Sequence, residues 1–297
     1  MEFETSRRDF LRVAGTVTGG VIVAGAVGTR PAHSATPAAS PWDQVPAILA
    51  RTMPPTFPAR DFDITDYGAK GDDTTGCTLA FRRAIAVCNA LGGGRVVVPA
   101  GTFRTGRIHL LSNVNLHVTS GGTIRFRSDA ASYLPMVYTR WQGIECFNYS
   151  PFIYAYDQVN VAITGPGTID GNAQNGSWFD FDGQRGPDWD RLQQMAVDGV
   201  PVDRRRFGDG HFLKPNMIQL YRCRNILISD VSLRNPAMWT VHPVLSRNVT
   251  VRNVKTNNRR GGVVDGIHVR DLTGGPCDRG GLYVDMDYSL TGPGYGV

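Results

Sequence analysis

A short pattern of residues occurs twice in the second half of the chain, at an interval of 23 residues. Asn225 begins the segment Asn-Ile-Leu-Ile, and Asn248 begins the segment Asn-Val-Thr-Val. Alternating β-branched residues headed by Asn and repeated at this interval are typical of the coils of a parallel β-helix. Each coil buries alternate residues, and Asn favours the turns, where its amide can hydrogen-bond to the next coil. Two unrelated edge hairpins are the alternative.

Similar segments occur earlier in the chain. Asn113 begins Asn-Val-Asn-Leu, and Asn160 lies in Gln-Val-Asn-Val, 47 residues later. This interval predicts a separation of about two coils. The chain's 297 residues suffice for a solenoid of many coils, and 35 Gly and 18 Pro with 19% charged residues fit a turn-rich β protein rather than a helical bundle. We therefore predict an all-β parallel β-helix.

The N-terminus has the features of an export signal. Arg7 and Arg8 form a twin-arginine pair, Phe10 and Leu11 follow, and a glycine-rich apolar run and small residues come next. We predict that residues 1–35 are a twin-arginine signal peptide, with an uncleaved anchor as the alternative. The protein would then be exported by a bacterium to the periplasm or beyond. Residues 36–58 are predicted to be a linker, and residues 59–297 the β-helix domain.

One amphipathic helix is predicted ahead of the strands. Its apolar face would contain Phe81, Ala84, Ile85, Cys88 and Leu91, and Gly92, Gly93 and Gly94 would end it. Asp73 or Thr74 is the predicted N-cap. Such a helix can cover the open end of the first coil.

Charge and cysteine content limit the possible partners. The formal net charge of +5 favours an acidic polymer in a local groove and is too small to indicate nucleic acid. The five cysteines have no metal-site spacing, and their odd number leaves at least one without an intramolecular partner. Cys77 and Cys88, on one helix, would be about 16 Å apart and could not form a disulfide.

Several segments in order resemble one enzyme family. DYGAKGDDTT, then GGGRVVVPAGTFRTGRIHLLSNVNLHV, then GPGTIDGN are similar to the N-terminal half of the polygalacturonases, family 28 of the glycoside hydrolases. The resemblance implies a right-handed single-stranded parallel β-helix of the pectin lyase-like group. It also implies an acidic plant polysaccharide, α-1,4-galacturonan, as the substrate, with no cofactor and no metal. We expect a monomer.

Residues 172–215 interrupt the repeat and are predicted to form a long loop beside a binding cleft. Arg204, Arg205 and Arg206 could bind substrate carboxylates, and the aromatic residues of the loop could stack on sugar rings. The alternative is a loop whose aromatic residues pack on each other while its arginines are solvated.

The resemblance also implies a catalytic mechanism. Polygalacturonases follow the inverting scheme, in which two carboxyl groups about 6.5–9.5 Å apart act as acid and base. In the family these groups come from an Asn-Thr-Asp segment and an Asp-Asp segment on successive coils. Neither segment occurs after residue 215, where the chain passes from Asn248–Val254 directly to Lys-Thr-Asn-Asn-Arg-Arg-Gly-Gly. We therefore predict a family member that lacks the central catalytic coils and is shortened at its C-terminus.

Three further residues are candidates by resemblance. Lys255 matches the family lysine that holds a substrate carboxylate, although Asn253 stands where the family has Arg. Asp265 is the remaining candidate for an acid or base, but its Arg-Gly-Gly context differs from that of the family's acid. His242 matches a segment that precedes the active-site coils; a packed, structural His is the alternative.

The predicted function is therefore that of a polygalacturonase-like hydrolase. The missing coils argue against activity of this chain, since the loss of either acid or base costs about 10²–10⁴-fold. A non-catalytic or decayed galacturonan-binding protein is one alternative. A pectate lyase-type eliminase is another, and would need clustered carboxylates that bind Ca²⁺ beside a basic residue.

Overall fold

The computed structural model describes residues 40–51 and 53–257, and most of this part is β-strand. The strands, in chain order, are β1 (Asp61–Asp63), β2 (Asp72–Gly76), β3 (Gly94–Val98), β4 (Gly101–Thr105), β5 (Ile108–His109), β6 (Val114–Val118), β7 (Gly122–Phe126), β8 (Val137–Trp141), β9 (Ile144–Asn148), β10 (Ile153–Tyr156), β11 (Val159–Thr164), β12 (Thr168–Asp170), β13 (Arg206–Phe207), β14 (Ile218–Tyr221), β15 (Arg224–Ser229), β16 (Ser232–Arg234), β17 (Val241–Val244), β18 (Arg247–Arg252) and β19 (Lys255–Asn257).

Three parallel sheets wind around one core. Sheet A has the order β1-β3-β6-β11-β15-β18, sheet B the order β2-β4-β7-β12-β16-β19, and sheet C the order β5-β10-β14-β17. Each complete coil contributes one strand to each sheet, so the predicted parallel β-helix is confirmed. A fourth sheet, sheet D, contains the antiparallel hairpin β8–β9 and the short strand β13 beside β9.

The core consists of apolar residues stacked in register from coil to coil. In sheet A, a continuous column runs through Val96, Leu116, Ile163, Ile228 and Val251. Full burial of such a side chain contributes about 1.5–3 kcal/mol. The alternation seen in the sequence therefore sets which side of each strand faces the core.

An asparagine ladder stabilises the corner between sheets C and A. Asn113, Asn160, Asn225 and Asn248 all have positive φ, between 54° and 64°. The amide nitrogens of the last three each donate to the side-chain oxygen of the preceding asparagine, at 2.9–3.0 Å. Asparagine tolerates this left-handed conformation better than most residues. The ladder confirms the role predicted for these residues.

The coils differ in length because of insertions at one corner. Val161 pairs with Val114, 47 residues earlier, so the predicted separation of two coils is wrong: this interval is a single coil. It is long because residues 127–152, including β8 and β9, are inserted between β7 in sheet B and β10 in sheet C. Residues 171–217 are inserted at the same corner of the next coil, where Ile226 pairs with Val161. The following coil has no such insertion, and Val249 pairs with Ile226.

The predicted helix is α2 (Thr78–Ala90), which follows α1 (Val45–Arg51). Four of the five predicted apolar positions of α2 are buried in the main core, whereas Leu91 lies just beyond its end and is 55% exposed. The predicted N-cap is wrong, because Asp73 and Thr74 belong to β2 and Cys77 occupies the cap position. Gly93, with φ 108°, follows the end of the helix as predicted.

Three further features fall within the described residues. The predicted linker contains a 3-10 helix, Pro41–Gln44, and α1. Cys77, Cys88, Cys146 and Cys223 are buried free thiols, which agrees with the prediction that Cys77 and Cys88 form no disulfide. No helix in residues 40–51 or 53–257 is both long and apolar enough to cross a membrane.

Candidate functional site on the outward face of sheet C

The two inserted segments pack against each other beside sheet C. Trp141, in the hairpin, donates from Nε1 to the backbone oxygen of Lys214 at 2.9 Å. Asn148, at the end of β9, donates to the backbone oxygen of Leu213 at 2.9 Å. A separate apolar cluster joins the hairpin to α3 (Gly186–Val197) through Trp141 and Leu192. These contacts form one wall, defined here as the hairpin β8–β9 with residues 186–214.

A polar column runs along the outward face of sheet C. His109, Tyr154, Gln219 and His242 occupy matching positions on the four strands. They face outward because their neighbours Ile108, Ile153, Ile218 and Val241 point into the core. The column therefore brings aromatic, amide and imidazole groups together on one surface.

The hairpin contacts this column through side chains. Thr139 donates to Oε1 of Gln219 at 2.5 Å, and the Tyr154 hydroxyl donates to the backbone oxygen of Tyr138 at 2.5 Å. The Tyr221 hydroxyl donates to Oε1 of Glu145 at 2.7 Å. The hairpin is thus fixed over β10 and β14 and buries Tyr154 and Gln219. His109 and His242 are the members of the polar column that keep exposed surface.

His242 is held in place by two amide side chains and an indole. Its Nδ1 lies 2.9 Å from Nδ2 of Asn216 and 3.4 Å from Nε2 of Gln219. The indole of Trp239 meets the imidazole edge to face, with ring centroids 4.4 Å apart. Burial, with a smaller contribution from the positive charge of Arg140, lowers the pKa of His242 to about 4. The ring is therefore neutral at neutral pH.

Glu145 is a carboxylate that contacts this network through Tyr221, and it is already engaged. It forms an ion pair with Arg140 at 3.2 Å and accepts the Tyr221 hydroxyl. Burial alone would raise the pKa of Glu145, but hydrogen bonds from Tyr138, Tyr221 and Arg140 outweigh burial and lower it. A general acid in glycoside hydrolysis needs a raised pKa instead, so Glu145 does not fit that role.

Other carboxyl groups show the same trend. Among the described residues, the carboxyl groups with a displaced pKa all have it lowered, chiefly by hydrogen bonds to the charged form: Asp61, Asp72, Asp129, Glu145 and Asp230. None of these five therefore has the raised pKa expected of a proton donor to a glycosidic oxygen.

Hydrogen bonds to Asp188 and one ion pair stabilise residues 208–214 of the wall. Asp188, which is buried, accepts Nδ1 of His211 at 2.7 Å with one oxygen and the backbone N–H of Phe212 at 2.7 Å with the other. Lys214 pairs with Asp182 at 2.6 Å. The sequence analysis did not identify these residues; only the folded chain brings Asp188 to His211.

The predicted arginines lie at the outer edge of the wall. Arg204 is exposed at the end of a 3-10 helix. Arg205 donates from Nε to the backbone oxygen of Val200 at 2.8 Å, and Arg206 lies over the ring of Phe147 at 5.4 Å. Arg205 and Arg206 therefore contribute to the packing of the wall.

The aromatic residues of the insertion are mostly unavailable for sugar stacking. Trp178 is fully buried and packs against Tyr133 and Phe181, and Trp189 packs against Trp141. This packing agrees with the alternative in which the segment's aromatic residues contact one another and the core.

Lys255 and Asp265 are not brought to this face. Lys255 is exposed on β19 at the edge of sheet B, paired with Ser232. It lies on a different sheet from His242, so the predicted binding residues do not form one cluster. Asp265 lies outside the residues that the structure describes.

Comparisons with known proteins point to one family, although no family model matches the chain. An exo-poly-α-D-galacturonosidase of Dickeya chrysanthemi is 31% identical over 229 residues, which cover 69% of this chain and 37% of that protein. The solved structure of a hyperthermoactive exopolygalacturonase from Thermotoga maritima is 46% identical with a TM-score of 0.68, covering 69% of this chain and 48% of that one.

The chain belongs to the polygalacturonase family. A family 28 exopolygalacturonase from Yersinia enterocolitica matches at 22% identity with a TM-score of 0.50, over 67% of this chain and 39% of that one, and this likeness concerns the fold. The predicted right-handed parallel β-helix is confirmed by these relatives. The chain spans less than half the length of each of the three polygalacturonases.

Several site residues of this polygalacturonase family member were missed by the sequence analysis. Gln219, Arg140 and Glu145 carry no recognisable motif, and they meet only because the hairpin folds over sheet C. The alternation of core-facing and outward-facing residues along β14 does predict that Gln219 faces outward. This was the one signal in the sequence that could have identified Gln219. Among the described residues, no group of three or more His, Cys, Asp or Glu side chains could hold a metal ion.

Proposed function

We propose that this protein acts on α-1,4-galacturonan or a related acidic pectic chain, and that the polysaccharide binds on the outward face of sheet C beside the wall. The observation that carries the proposal is that both long insertions leave the β-helix at the same corner and border one polar column, His109–Tyr154–Gln219–His242. The curated and solved relatives, which are named for action on polygalacturonate, support the substrate class.

The reaction proposed is hydrolysis by the inverting two-carboxylate scheme of the family. One carboxyl group protonates the glycosidic oxygen, and the other activates a water molecule on the opposite face of the sugar. We assign neither role to Glu145, because its lowered pKa and its ion pair with Arg140 do not fit a proton donor. Asp265 remains the candidate for one role, with Lys255 and Arg204 as candidate carboxylate-binding groups.

The second candidate function is binding of galacturonan without cleavage. It is favoured because every carboxyl group among the described residues whose pKa departs from its ordinary value has a lowered pKa, Glu145 included. An eliminase is a third candidate, and it would require Ca²⁺ and give an unsaturated product.

The deciding experiment measures reducing ends released from polygalacturonate by the purified full chain and by Asp265→Asn. Release that Asp265→Asn abolishes would support hydrolysis and assign Asp265 a catalytic role. Equal release of reducing ends by the two proteins would show that the catalytic acids are other residues. Binding of polygalacturonate without release, by a protein that unfolds cooperatively, would support the binding function. An ultraviolet-absorbing product that a chelator abolishes would indicate elimination.

The proposed carboxylate contact of Arg204 can be tested separately. Arg204→Ala should weaken polygalacturonate binding, whereas Arg83→Ala, an exposed arginine on α2, removes the same charge far along the sequence from the wall. Equal loss in both variants would indicate a general charge effect and argue against a specific contact. Repeating the polygalacturonate binding measurement at high salt would confirm a general charge effect if binding weakened equally in both variants.

The proposed setting is outside the cytoplasm. We propose that residues 1–35 direct export through the twin-arginine machinery and that the mature protein is a monomer. Replacement of Arg7 and Arg8 by Lys should retain the protein in the cytoplasm, which cell fractionation would detect. Analytical ultracentrifugation of the mature chain would test its oligomeric state.

A further inference from the structure

The side chain of Gln219 can adopt only one amide orientation. Its Nε2 lies 3.5 Å from the backbone oxygen of Arg140, which can only accept, and its Oε1 receives the hydroxyl proton of Thr139. A flipped amide would place two oxygens against each other. Nε2 of Gln219 therefore faces Nδ1 of His242 as a donor.

This orientation decides which nitrogen of His242 carries the proton. Gln219 Nε2, whose orientation the Arg140 backbone oxygen fixes, faces Nδ1 as a donor at 3.4 Å, so Nδ1 is the acceptor. Asn216 is then oriented with Nδ2 toward the same Nδ1, at 2.9 Å. A neutral imidazole with an accepting Nδ1 carries its proton on Nε2. Nε2 has no protein partner among the described residues, and the ring is partly exposed. The free polar edge of His242 is thus an N–H donor.

We propose that His242 binds a ring hydroxyl of a galacturonosyl residue, with its Nε2–H donating to the hydroxyl oxygen, and that Gln219 and Asn216 are positioning residues that fix this tautomer. The identity of the sugar rests on the proposed function, whereas the tautomer does not. The proposal gives the sheet C face a donor of defined direction, three coils away from His109 along the same column.

A hydroxyl fits this donor better than a carboxylate. The imidazole carries no charge at neutral pH, so it offers a carboxylate no ion pair, and a dipolar donor suits a neutral acceptor. The charged group that acts on His242 is Arg140, which opposes its protonation and forms an ion pair with Glu145. On the sheet itself, the neighbouring outward groups Gln219 and Tyr221 are neutral.

The tautomer is tested first, without any ligand. In ¹⁵N-labelled protein, long-range ¹H–¹⁵N correlation spectra distinguish a protonated ring nitrogen from a bare one, and His242→Gln assigns the signals among the six histidines. We expect a bare Nδ1 and a protonated Nε2 that persist from pH 7.5 to 5. A proton on Nδ1, or titration of the ring between pH 6 and 7, would overturn the proposal.

Binding is tested next with trigalacturonate and calorimetry. His242→Ala should bind about 3- to 10-fold more weakly than wild type, because one neutral hydrogen bond is lost. The ratio of the wild-type affinity to the His242→Ala affinity should be constant from pH 7.5 to 5. If wild type binds and His242→Ala binds equally well, the proposal fails while the proposed function stands. If wild type does not bind trigalacturonate, the proposed function fails and the sugar assignment fails with it.

Gln219→Glu separates positioning from a merely structural role. A carboxylate beside Nδ1 would attract a proton, so His242 should become an imidazolium with its proton on Nδ1 as well. Trigalacturonate affinity should then change with pH between about 5 and 7, unlike that of wild type. A folded Gln219→Glu variant with the wild-type ¹⁵N pattern and a flat pH profile would overturn the positioning role.

Discussion

Tyr138 stacks on Tyr221, with ring centroids 5.3 Å apart and planes 15° from parallel. Tyr138 belongs to the hairpin and Tyr221 to sheet C, yet β8 and β9 pair only with each other and with β13. The backbone ladders therefore do not connect the hairpin to sheet C. Side-chain contacts connect the hairpin to sheet C, and the position of the hairpin beside the candidate site depends on these contacts.

Tyr138→Ala should loosen the hairpin without unfolding the β-helix. Loss of the stacked ring should cost about 1–3 kcal/mol of local stability, since an aromatic pair adds about 0.5–1.5 kcal/mol to area burial. Hydrogen exchange should speed up for amides of β8 and β9 but not for those of β15. Tyr221→Phe, which keeps the ring and loses the bond to Glu145, should have the smaller effect. Equal acceleration in β15 would contradict a local role.

Asn225→Ala should destabilise the whole β-helix. Asn225 makes two ladder bonds, to Asn160 and Asn248, and has φ 57°, which alanine adopts poorly. We expect a loss of about 2–3 kcal/mol in the free energy of unfolding, measured by urea denaturation. Asn248→Ala, which loses one described bond, should cost less. Equal losses would show that the ladder bonds contribute little.

Gly165→Ala should prevent the turn between β11 and β12 from packing. Gly165 has φ 101°, and a Cβ there would lie 2.2 Å from the backbone oxygen of Val118. Strain and displacement of backbone should cost on the order of 3 kcal/mol or more. Gly183→Ala is the matched control, because no atom lies within 4 Å of its added Cβ and its φ is not in the left-handed region. Similar melting temperatures for the two variants would contradict this account.

The neutrality of buried His242 should make stability fall in mild acid. Its pKa is about 4 in the folded protein against 6.5 normally, so between these values the unfolded chain binds the extra proton. The contribution is complete above pH 6.5 and is lost as pH falls toward 4, by about 2 kcal/mol between pH 7 and 5. His242→Gln should remove that part of the slope, as measured by urea denaturation at several pH values. An unchanged slope would show that His242 titrates normally.

The repeat was predictable because it is local, and the coil lengths were not. The single coil between Asn225 and Asn248 has no long insertion, so sequence interval and coil length agree there. Between Asn113 and Asn160 the same reasoning counts two coils, because the interval of 47 residues is about twice 23. Only the pairing of Val161 with Val114 shows that the hairpin lies outside the helix.

The sequence by itself determined the solenoid, its inward-facing residues and its asparagine ladder, because each depends on alternation and on turn conformations within a few residues. It also carried the family resemblance. Tertiary structure alone decided the candidate site. Gln219, Arg140 and His242 are separated by up to about a hundred residues, and their contacts depend on how an inserted hairpin packs over a sheet. Lys255 and His242, although close in sequence, lie on different sheets because the chain turns twice between them.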